Sequence, residues 1–334
     1  MPVYYSSIAE EHQAVRKRVG MFDISHMGQI EVSGPSASDW LNRLLTNNVA
    51  RLVNGQGQYT LLLNEQGGVI DDLIVYRRHT HQFFLVVNAA KIDDDFAWMQ
   101  ESVSGGVALL NCSPLFGALA VQGPRAAELF SVFGELPPRN HVCELRIEGI
   151  STLTARTGYT GEDGFELFFP SGVAPFIWNK LLDLGQPLGL KPCGLGSRDT
   201  LRMEACYPLN GSDLSQNRTP LEAGLGSFVD LQKDDFVGRE ALRMQKESGI
   251  KQRLSAVKAT GKTPPFRAHY PVFVGDKQVG ELTSGTQSPS LGVAIGLGYL
   301  DIEAAQPGQR VEIEIRGRKY VAGVEKKPLY KRPS

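Results

Sequence analysis

Hydrophobic residues recur in short runs along the first two thirds of the chain, and their spacing predicts helices and strands. Apolar residues at helical spacing predict helices over residues 8–18, 36–45, 92–101 and 173–184. Runs rich in β-branched and aromatic residues predict strands over residues 30–32, 59–63, 69–76, 81–87, 116–121, 143–147 and 151–156. Because single helices separate antiparallel hairpins, the pattern indicates an α+β fold and not a doubly wound parallel sheet.

From residue 254 onward the pattern changes to short strands separated by Gly and Pro turns. The predicted strands cover residues 254–259, 272–274, 280–283, 294–299, 311–315 and 319–324. Their spacing is typical of a small barrel or sandwich. A predicted helix that ends at Gly249 comes before them. We therefore expect residues 236–253 to connect an N-terminal region, residues 1–235, to a C-terminal β domain, residues 254–334.

The strand predicted over residues 69–76 carries two adjacent acids, Asp71 and Asp72, in an otherwise apolar run. Gly67 and Gly68 predict a tight turn before it, since glycine adopts positive φ without steric penalty. Side chains alternate faces along a strand, so one of the acids points toward whatever the strand covers. A buried acid needs a partner or a chemical role. The alternative is that both acids lie in water at a sheet edge, or that one caps a turn.

Composition excludes several kinds of partner. The 334 residues suggest two or three domains, and the 42% hydrophobic and 21% charged content is that of a globular protein. With a net charge of −1 and no basic block, neither nucleic acid nor an anionic membrane is an expected partner. The chain has no signal-peptide pattern and no apolar run long enough to span a bilayer. We expect a cytoplasmic protein, or a mitochondrial-matrix protein if a eukaryotic leader has been removed.

The cysteines are widely spaced and form no zinc-binding pattern with the six histidines. They are Cys112, Cys143, Cys193 and Cys206. We therefore expect four reduced thiols and no metal.

Two further segments carry candidate binding residues. The glycine-rich segment 158–164, G-Y-T-G-E-D-G, lacks the Lys-Ser/Thr of a phosphate-binding loop and the spacing of a dinucleotide fingerprint. It is either a plain hairpin with a solvated Glu162, or a loop that holds this carboxylate against a planar N–H/NH₂ edge such as a pterin presents. Arg198 either clamps a ligand carboxylate or ring carbonyl, or pairs with Asp199 or Glu204.

Several other residues have both a structural and a functional interpretation. Tyr59, Tyr159 and Tyr330 are candidates for stacking on a ligand or hydrogen bonding to it, although most tyrosines simply pack. His26 could act as a base, but a satisfied core histidine is the more common case. Ser197 is expected to cap a short helix. No Ser/His/Asp order indicates a hydrolytic triad.

Taken together and in order, six segments closely resemble one known family. They are F-D-I-S-H-M-G at 22–28, N-E-Q-G-G-V-I-D-D-L-I-V-Y at 64–76, V-V-N-A-A at 86–90, R-T-G-Y-T-G-E-D-G-F-E at 156–166, G-L-G-S-R-D-T-L-R-M-E-A at 194–205 and T-S-G-T-Q-S-P-S-L-G at 283–292. The family is that of the glycine cleavage T-proteins, the tetrahydrofolate-dependent aminomethyltransferases. The resemblance extends from about residue 1 to residue 330. The K-G-C-Y-x-G-Q-E signature of the related iron–sulfur-assembly folate proteins is absent.

The resemblance implies a cloverleaf of two intertwined α+β subdomains, one of them ferredoxin-like, and a C-terminal antiparallel β-barrel around a folate channel. It implies tetrahydrofolate as co-substrate and a lipoylated partner, the H-protein, that presents an aminomethyl group. The implied products are ammonia, 5,10-methylenetetrahydrofolate and dihydrolipoyl H-protein.

The resemblance also implies roles for individual residues. Asp72 matches the essential acid of the family. Glu162 matches the pterin-binding carboxylate, and Arg198 matches another folate contact. The remaining expected folate-binding residues are Met27, Tyr59, Val87, Asn88, Tyr159 and Tyr330, of which the first four match the lining of the channel.

The implied chemistry requires no metal and no covalent enzyme intermediate. N5 of tetrahydrofolate must attack a methylene carbon while an amine and then a thiol leave, so catalysis can rest on positioning and electrostatics. A carboxylate beside N5 would orient the folate and stabilise the positive charge that forms as ammonia departs. We expect Asp72 to do this, and Asp71, on the other face of the strand, to be structural.

The chain departs from the family pattern in two places. The family usually has a further segment with a Gly-Trp motif before the position of Met1, so either the start is misassigned, the chain is truncated or this lineage does without it. Many members carry a Trp near position 227, where this chain has Ser227 and Phe228. The alternative functions are a folate-dependent demethylase of the same superfamily and a folate-binding protein without activity.

Overall fold

The computed structural model describes residues 1–332. Its α-helices are α1 Ile8–Lys17, α2 Ala37–Leu44, α3 Ile92–Glu101, α4 Ala126–Phe130, α5 Ala174–Gly185, α6 Leu195–Ala205 and α7 Arg239–Ser248. The strands of the N-terminal region are β1 Val19–Asp23, β2 Gly28–Ser33, β3 Gly57–Leu63, β4 Val69–His79, β5 Gln82–Val87, β6 Ala108–Asn111, β7 Phe116–Gln122, β8 Val142–Ile147, β9 Ile150–Ala155, β10 Gly164–Pro170 and β11 Leu190–Pro192. The C-terminal strands are β12 Gln252–Ala259, β13 Pro271–Val274, β14 Lys277–Gln287, β15 Ala294–Asp301, β16 Arg310–Ile315 and β17 Arg318–Glu325. The predicted α+β class is confirmed.

Five strands of the N-terminal region form an antiparallel sheet with the order β3-β4-β5-β2-β6. Helices α2 and α3 cover one face of this sheet. Trp40 and Met99 of these helices pack there against Leu73 and Val75 of β4. Burial of this apolar face is what fixes the helices on the sheet, because neither helix is long enough to be stable alone.

The hairpin predicted for β3 and β4 is confirmed. Gly67 has a φ of +82°, a conformation that other residues adopt only with strain. A Cβ atom on Gly68 would lie 1.8 Å from the carbonyl oxygen of Gln216, so the turn requires glycine at this position as well.

A β-bulge follows the turn. Leu62 pairs with Asp71 whereas Leu63 pairs with Val69, which leaves Ile70 as the extra residue. Ile70 packs in the core under α2 and α3. As a result, Ile70 and Asp71 point to the same side of the sheet although they are adjacent in sequence.

The second sheet has six strands in the order β11-β1-β7-β10-β9-β8. Only the β1–β11 pair is parallel. On the outer face of this sheet, Phe130 of α4 and Ile177 of α5 pack against Phe165 and Leu167 of β10.

The inner faces of the two sheets share a third core. Tyr76 and Phe84 of the five-stranded sheet meet Phe22 and Phe168 of the six-stranded sheet there. The rings of Phe84 and Phe168 lie edge to face with centroids 5.2 Å apart. The two sheets therefore face each other, and polar residues beside this core lie between them.

The C-terminal strands form a closed barrel with the order β12-β15-β14-β13-β16-β17, closed by the pairing of β12 with β17. The strand pattern left a barrel and a sandwich open and the family resemblance implied the barrel, which the structure confirms. Helix α7 precedes it and ends before Gly249, as predicted.

A buried carboxylate, that of Glu204 in α6, joins three parts of the molecule. Arg16 of α1 donates to it through Nε and Nη2 at 3.0 and 2.9 Å. Ser288 and Ser290, just after β14 of the barrel, donate to it at 2.5 and 2.8 Å. Burial would raise the pKa of Glu204, but hydrogen bonds from His12 and Ser288 and the charges nearby hold this pKa at about 2. These contacts explain several polar residues of the segments at 194–205 and 283–292.

Local details differ from the sequence-based expectations at one helix. Ser7 caps α1 as expected, because its side chain accepts from the amide of Glu10. The expected cap of α6 by Ser197 is wrong. The capping position is Gly194, and the Ser197 hydroxyl lies inside the helix, bonded to Glu11. All four cysteines are free, as expected. Within residues 1–332, none of the helices has the length and apolar character needed to cross a membrane.

Candidate active site

Asp72 lies on the face of β4 that looks toward the six-stranded sheet. Ile74 and Tyr76, on the same face of the strand, belong to the core between the two sheets. Asp71 points the opposite way, toward α3, and is fully buried. The predicted division of the two acids between the two faces is confirmed, and neither acid lies in water at a sheet edge.

Tyr59 and Asn88 hold the carboxylate of Asp72. The Tyr59 hydroxyl donates to Oδ2 at 2.9 Å, and Nδ2 of Asn88 donates to Oδ1 at 3.0 Å. The ring of Tyr59 packs edge-on against Phe228 with centroids 4.7 Å apart. Phe228 thus provides an aromatic side chain beside the position where many family members have tryptophan.

The surroundings of Asp72 favour its neutral form more than water does. Burial, and then the negative charge of Asp71, raise the pKa of Asp72 to about 7, against the hydrogen bonds from Tyr59 and Asn88. A carboxyl group with this pKa changes between its neutral and ionised forms near neutral pH. Such a group can take up or release a proton, and it can stabilise a neighbouring positive charge when ionised.

Arg198 and Tyr159 lie on the other side of the site. The Arg198 guanidinium carbon lies 4.7 Å from the centroid of the Tyr159 ring. The pKa of Tyr159 is raised, chiefly by burial and also by the charge of Asp72. Asp199 pairs with the next arginine of α6, and Glu204 pairs with an arginine of α1. The ion pairs that the sequence offered for Arg198 are therefore not formed, and within residues 1–332 its guanidinium has no carboxylate in salt-bridge contact.

Glu166 is a residue of the site that the sequence analysis missed. It lies in β10 on the same face as Phe168, toward the five-stranded sheet. The Thr157 hydroxyl donates to its Oε2 at 2.6 Å. Burial raises the pKa of Glu166, against this hydrogen bond and the positive charge of Arg198. The signal was present in the sequence, because Glu166 is an acid at an alternate position of the apolar strand G-F-E-L-F-F, as Asp72 is in β4.

Glu162 and Tyr330 form a second group that is centred on Arg16. Nη1 of Arg16 donates to Glu162 at 2.8 Å, and the Arg16 guanidinium lies 4.1 Å from the centroid of the Tyr330 ring. Burial raises the pKa of Glu162, while the charge of Arg16 and its hydrogen bond lower it. Glu162 is therefore neither the solvated turn residue nor a free carboxylate. The structure does not bring it together with Asp72.

The remaining predicted residues differ in their placement. Met27 is partly buried and packs against the core between the sheets. The side chain of Val87 is fully buried under α2 and α3, because Val86 takes the inward face of β5. That Val87 lines the folate channel stays a prediction. His26 is exposed and not a core residue. Its pKa is lowered by partial burial and by the charge of Arg198.

Comparison with known proteins extends over nearly the whole chain. The family model of the GCVT N-terminal domain matches residues 1–233, and that of the glycine cleavage T-protein C-terminal barrel domain matches residues 252–331. The aminomethyltransferase of Halalkalibacterium halodurans is 44% identical over 99% of this chain and 92% of its own length. That of Bacillus mycoides is 45% identical over the same shares.

A solved structure agrees with these matches. The crystal structure of the glycine cleavage system aminomethyltransferase T from Bartonella henselae superposes with a TM-score of 0.93 at 33% identity, over 99% of this chain and 92% of that chain. Fold and site together define a transferase built from a GCVT domain and a barrel domain. The chain belongs to the glycine cleavage T-protein family, the aminomethyltransferases.

Proposed function

We propose that this protein transfers the methylene carbon of the aminomethyl group on the lipoyl arm of H-protein to tetrahydrofolate. The reaction releases ammonia and leaves 5,10-methylenetetrahydrofolate and dihydrolipoyl H-protein. Because the relatives named above are bacterial enzymes, we propose the bacterial cytoplasm as its location. The observation that carries the proposal is the carboxylate of Asp72, held by Tyr59 and Asn88 between the two sheets. Opposite it lies the guanidinium of Arg198, which has no carboxylate partner among the described residues.

Asp72 is proposed as the catalytic acid–base group. Tetrahydrofolate, as co-substrate, supplies the nucleophilic N5 that accepts the carbon. The ionised carboxylate stabilises positive charge that develops beside it, and it does so strongly because the site is largely shielded from water. With a pKa of about 7, Asp72 also accepts or returns a proton near neutral pH. Tyr59 and Asn88 fix its two oxygens, so the group needs little reorganisation during the reaction.

Glu166, and not Glu162, is proposed as the carboxylate that binds the pterin ring. A planar N–H/NH₂ edge needs a carboxylate with an oxygen available for donors. Glu162 is engaged by Arg16, whereas Glu166 faces the space between the sheets and has Thr157 as its hydrogen-bond donor. Arg198 supplies the complementary positive charge for a ring carbonyl or a glutamyl carboxylate of the folate. The tyrosine rings of the site offer surfaces for stacking.

The test is the formation of 5,10-methylenetetrahydrofolate from aminomethylated H-protein, with Asp72→Asn measured beside the wild type. We expect turnover in the wild type and a loss on the order of 100-fold or more in the variant, the usual contribution of a positioned acid–base group. Folate binding should persist in the variant, because Glu166 and Arg198 are unchanged.

Two outcomes would contradict the proposal. Folate binding without any turnover on H-protein would favour a binding protein. Turnover with a methylated amine but not with H-protein would favour a demethylase. In both cases folate binding by the wild type would show that the protein used was correctly folded.

A further inference from the structure

The carboxyl group of Asp95 in α3 has no role in the function proposed above. Asp95 is fully buried under the five-stranded sheet. Within residues 1–332, neither of its oxygens accepts a hydrogen bond from an amide, hydroxyl or basic group. Its hydrogen-bonding neighbour is another carboxyl group, that of Asp71 in β4, which is also fully buried. A buried acid with no donor and a second acid as its neighbour requires an explanation.

Two carboxyl groups in contact inside a core cannot both be ionised, because burial and mutual repulsion disfavour the second charge. Burial, and then the charge of Asp71, raise the pKa of Asp95 to about 10. The other charged groups that act on it are Lys91, which lowers this pKa, and Asp94, which raises it. These two lie near the helix surface and pair with each other at 3.3 Å.

The hydrogen bonds decide which of the two acids keeps the proton. Asp71 accepts from the backbone N–H of Asn88 at 3.0 Å and from its Nδ2 at 2.8 Å. Such donors stabilise an ionised carboxylate. Asp95 accepts no such bond. The proton therefore resides on Asp95, and among residues 1–332 its acceptor is Asp71.

We propose that Asp95 is a positioning residue: as a neutral carboxylic acid it donates a hydrogen bond to Asp71, and the Asp71 carboxylate so fixed holds the amide of Asn88 against Asp72. The relay is short. Nδ2 of Asn88 lies 2.8 Å from Asp71, 3.0 Å from Oδ1 of Asp72 and 3.0 Å from the backbone carbonyl of Asp72. The side-chain amide of Asn88 has two N–H hydrogens to share among these three acceptors. Its orientation therefore depends on the position of the Asp71 carboxylate.

The protonation state of Asp95 can be tested without any substrate. Infrared spectroscopy of the full-length protein should show the carbonyl band of a protonated, buried carboxylic acid at pH 7. Asp72, with a pKa of about 7, contributes to this band at pH 7 but is ionised at about pH 8.5. The part of the band that belongs to Asp95 should persist at about pH 8.5, weaken only as the pH approaches about 10, and be missing in Asp95→Asn. A wild-type spectrum at about pH 8.5 with no band that Asp95→Asn removes would overturn the proposal.

The positioning role is tested by a pair of substitutions at the same residue, and this part rests on the proposed function of Asp72. Asp95→Asn keeps a neutral donor to Asp71, whereas Asp95→Leu fills the site with a side chain of similar shape and no donor. Asp95→Asn should retain turnover near the wild-type rate. Asp95→Leu should lower kcat by about 10–100-fold, as the loss of outer supporting groups commonly does, with little change in the KM for folate.

The results with these variants distinguish the positioning role of Asp95 from the catalytic role proposed for Asp72. Equal loss of kcat in folded Asp95→Asn and Asp95→Leu would overturn the role of the donor. If Asp95→Leu does not fold, the Asp95→Asn variant and the infrared band remain decisive. Wild-type turnover in Asp72→Asn would instead refute the function assigned to Asp72, and it would leave the infrared result unaffected.

Discussion

Asp71 and Asp72 are chemically identical neighbours with different surroundings. Asp71 faces a dry helix–sheet core, while Asp72 is half-buried between the two sheets. We expect Asp71→Asn to reduce turnover less than Asp72→Asn, because the first changes a supporting residue and the second removes the proposed acid–base group. Turnover of H-protein by the two purified variants gives the comparison. Equal losses would contradict the assignment.

The pH dependence of turnover follows from the same pair. The pKa of Asp72 is about 7, and the proposed mechanism uses its ionised form, so kcat should rise as the pH increases through about 7. The charge of Asp71 contributes to this raised pKa. In Asp71→Asn the rise should therefore occur at lower pH. A pH–rate profile that is identical in both proteins would show that Asp72 is not the titrating group.

Glu166 and Glu162 offer a matched pair for folate binding. Glu166→Gln should weaken the binding of tetrahydrofolate about 10-fold or more, because a charged hydrogen-bond acceptor is worth roughly 1.5–3 kcal/mol. Glu162→Gln should change binding little, since that carboxylate is held by Arg16. Calorimetric titration of both variants with folate measures this difference. A larger effect at Glu162 would restore the assignment that the sequence suggested.

At the residue scale, alternation along strands was the informative signal. It predicted the two orientations of Asp71 and Asp72, and it could have identified Glu166. It gives no information on Glu162, which lies in a loop where no periodicity fixes a side chain, and it places the side chain of Val87 on the face opposite to that of Val86. The ion pair between Arg16 and Glu162 joins residues 146 positions apart, so no local pattern could reveal it.

Among the elements, α1 and α6 depend on one buried carboxylate. Glu204→Gln should destabilise the protein by about 3–5 kcal/mol, because it removes one of the two buried carboxylates that pair with Arg16. Urea unfolding measures the change. Glu240→Gln in α7, whose exposed pair with Arg243 spans 3.7 Å, is the control and should have no measurable effect.

The low pKa of Glu204 also determines how the free energy of unfolding changes at acidic pH. The pKa of Glu204 is about 2 in the folded protein and 4.5 for the unperturbed group, so the unfolded state binds its proton first. The stabilisation is complete above pH 4.5 and should be lost as the pH falls from about 4.5 toward 2. In Glu204→Gln this part of the pH dependence should be missing. An unchanged acid profile would contradict the low pKa.

Elements with strong local signals were predicted well. The amphipathic helices, the hairpin of β3 and β4 and the six C-terminal strands all formed within a few residues of their expected bounds. The cap of α6 was wrong because Ser197 is bonded to Glu11 of α1, a long-range contact. The strand pattern alone could not decide between barrel and sandwich, because the closing pair β12–β17 joins strands distant in the chain; the family resemblance supplied the barrel.

For the whole molecule, the barrel and the N-terminal region are tied together by buried polar contacts. Besides Glu204 and its serines, Arg202 of α6 donates to Ser284 at 3.1 Å, and Thr283 donates to Asp213 at 2.5 Å. We therefore expect one cooperative unfolding transition, with equal calorimetric and van't Hoff enthalpies. Scanning calorimetry gives both values. Two separate transitions would mean that the barrel folds independently.

The bulge at Ile70 has a consequence for where the length of the chain can vary between related proteins. Its extra residue absorbs the change in register between the glycine turn and the acid pair, since Leu62 still pairs with Asp71 and Leu61 with Asp72. Insertions or deletions in the turn can therefore be accommodated at the bulge without moving Asp72, the proposed catalytic acid, to the other face of the strand. Lineages of this enzyme should accordingly differ in length on the turn side of Ile70, and keep a fixed spacing from Asp71 to Asn88.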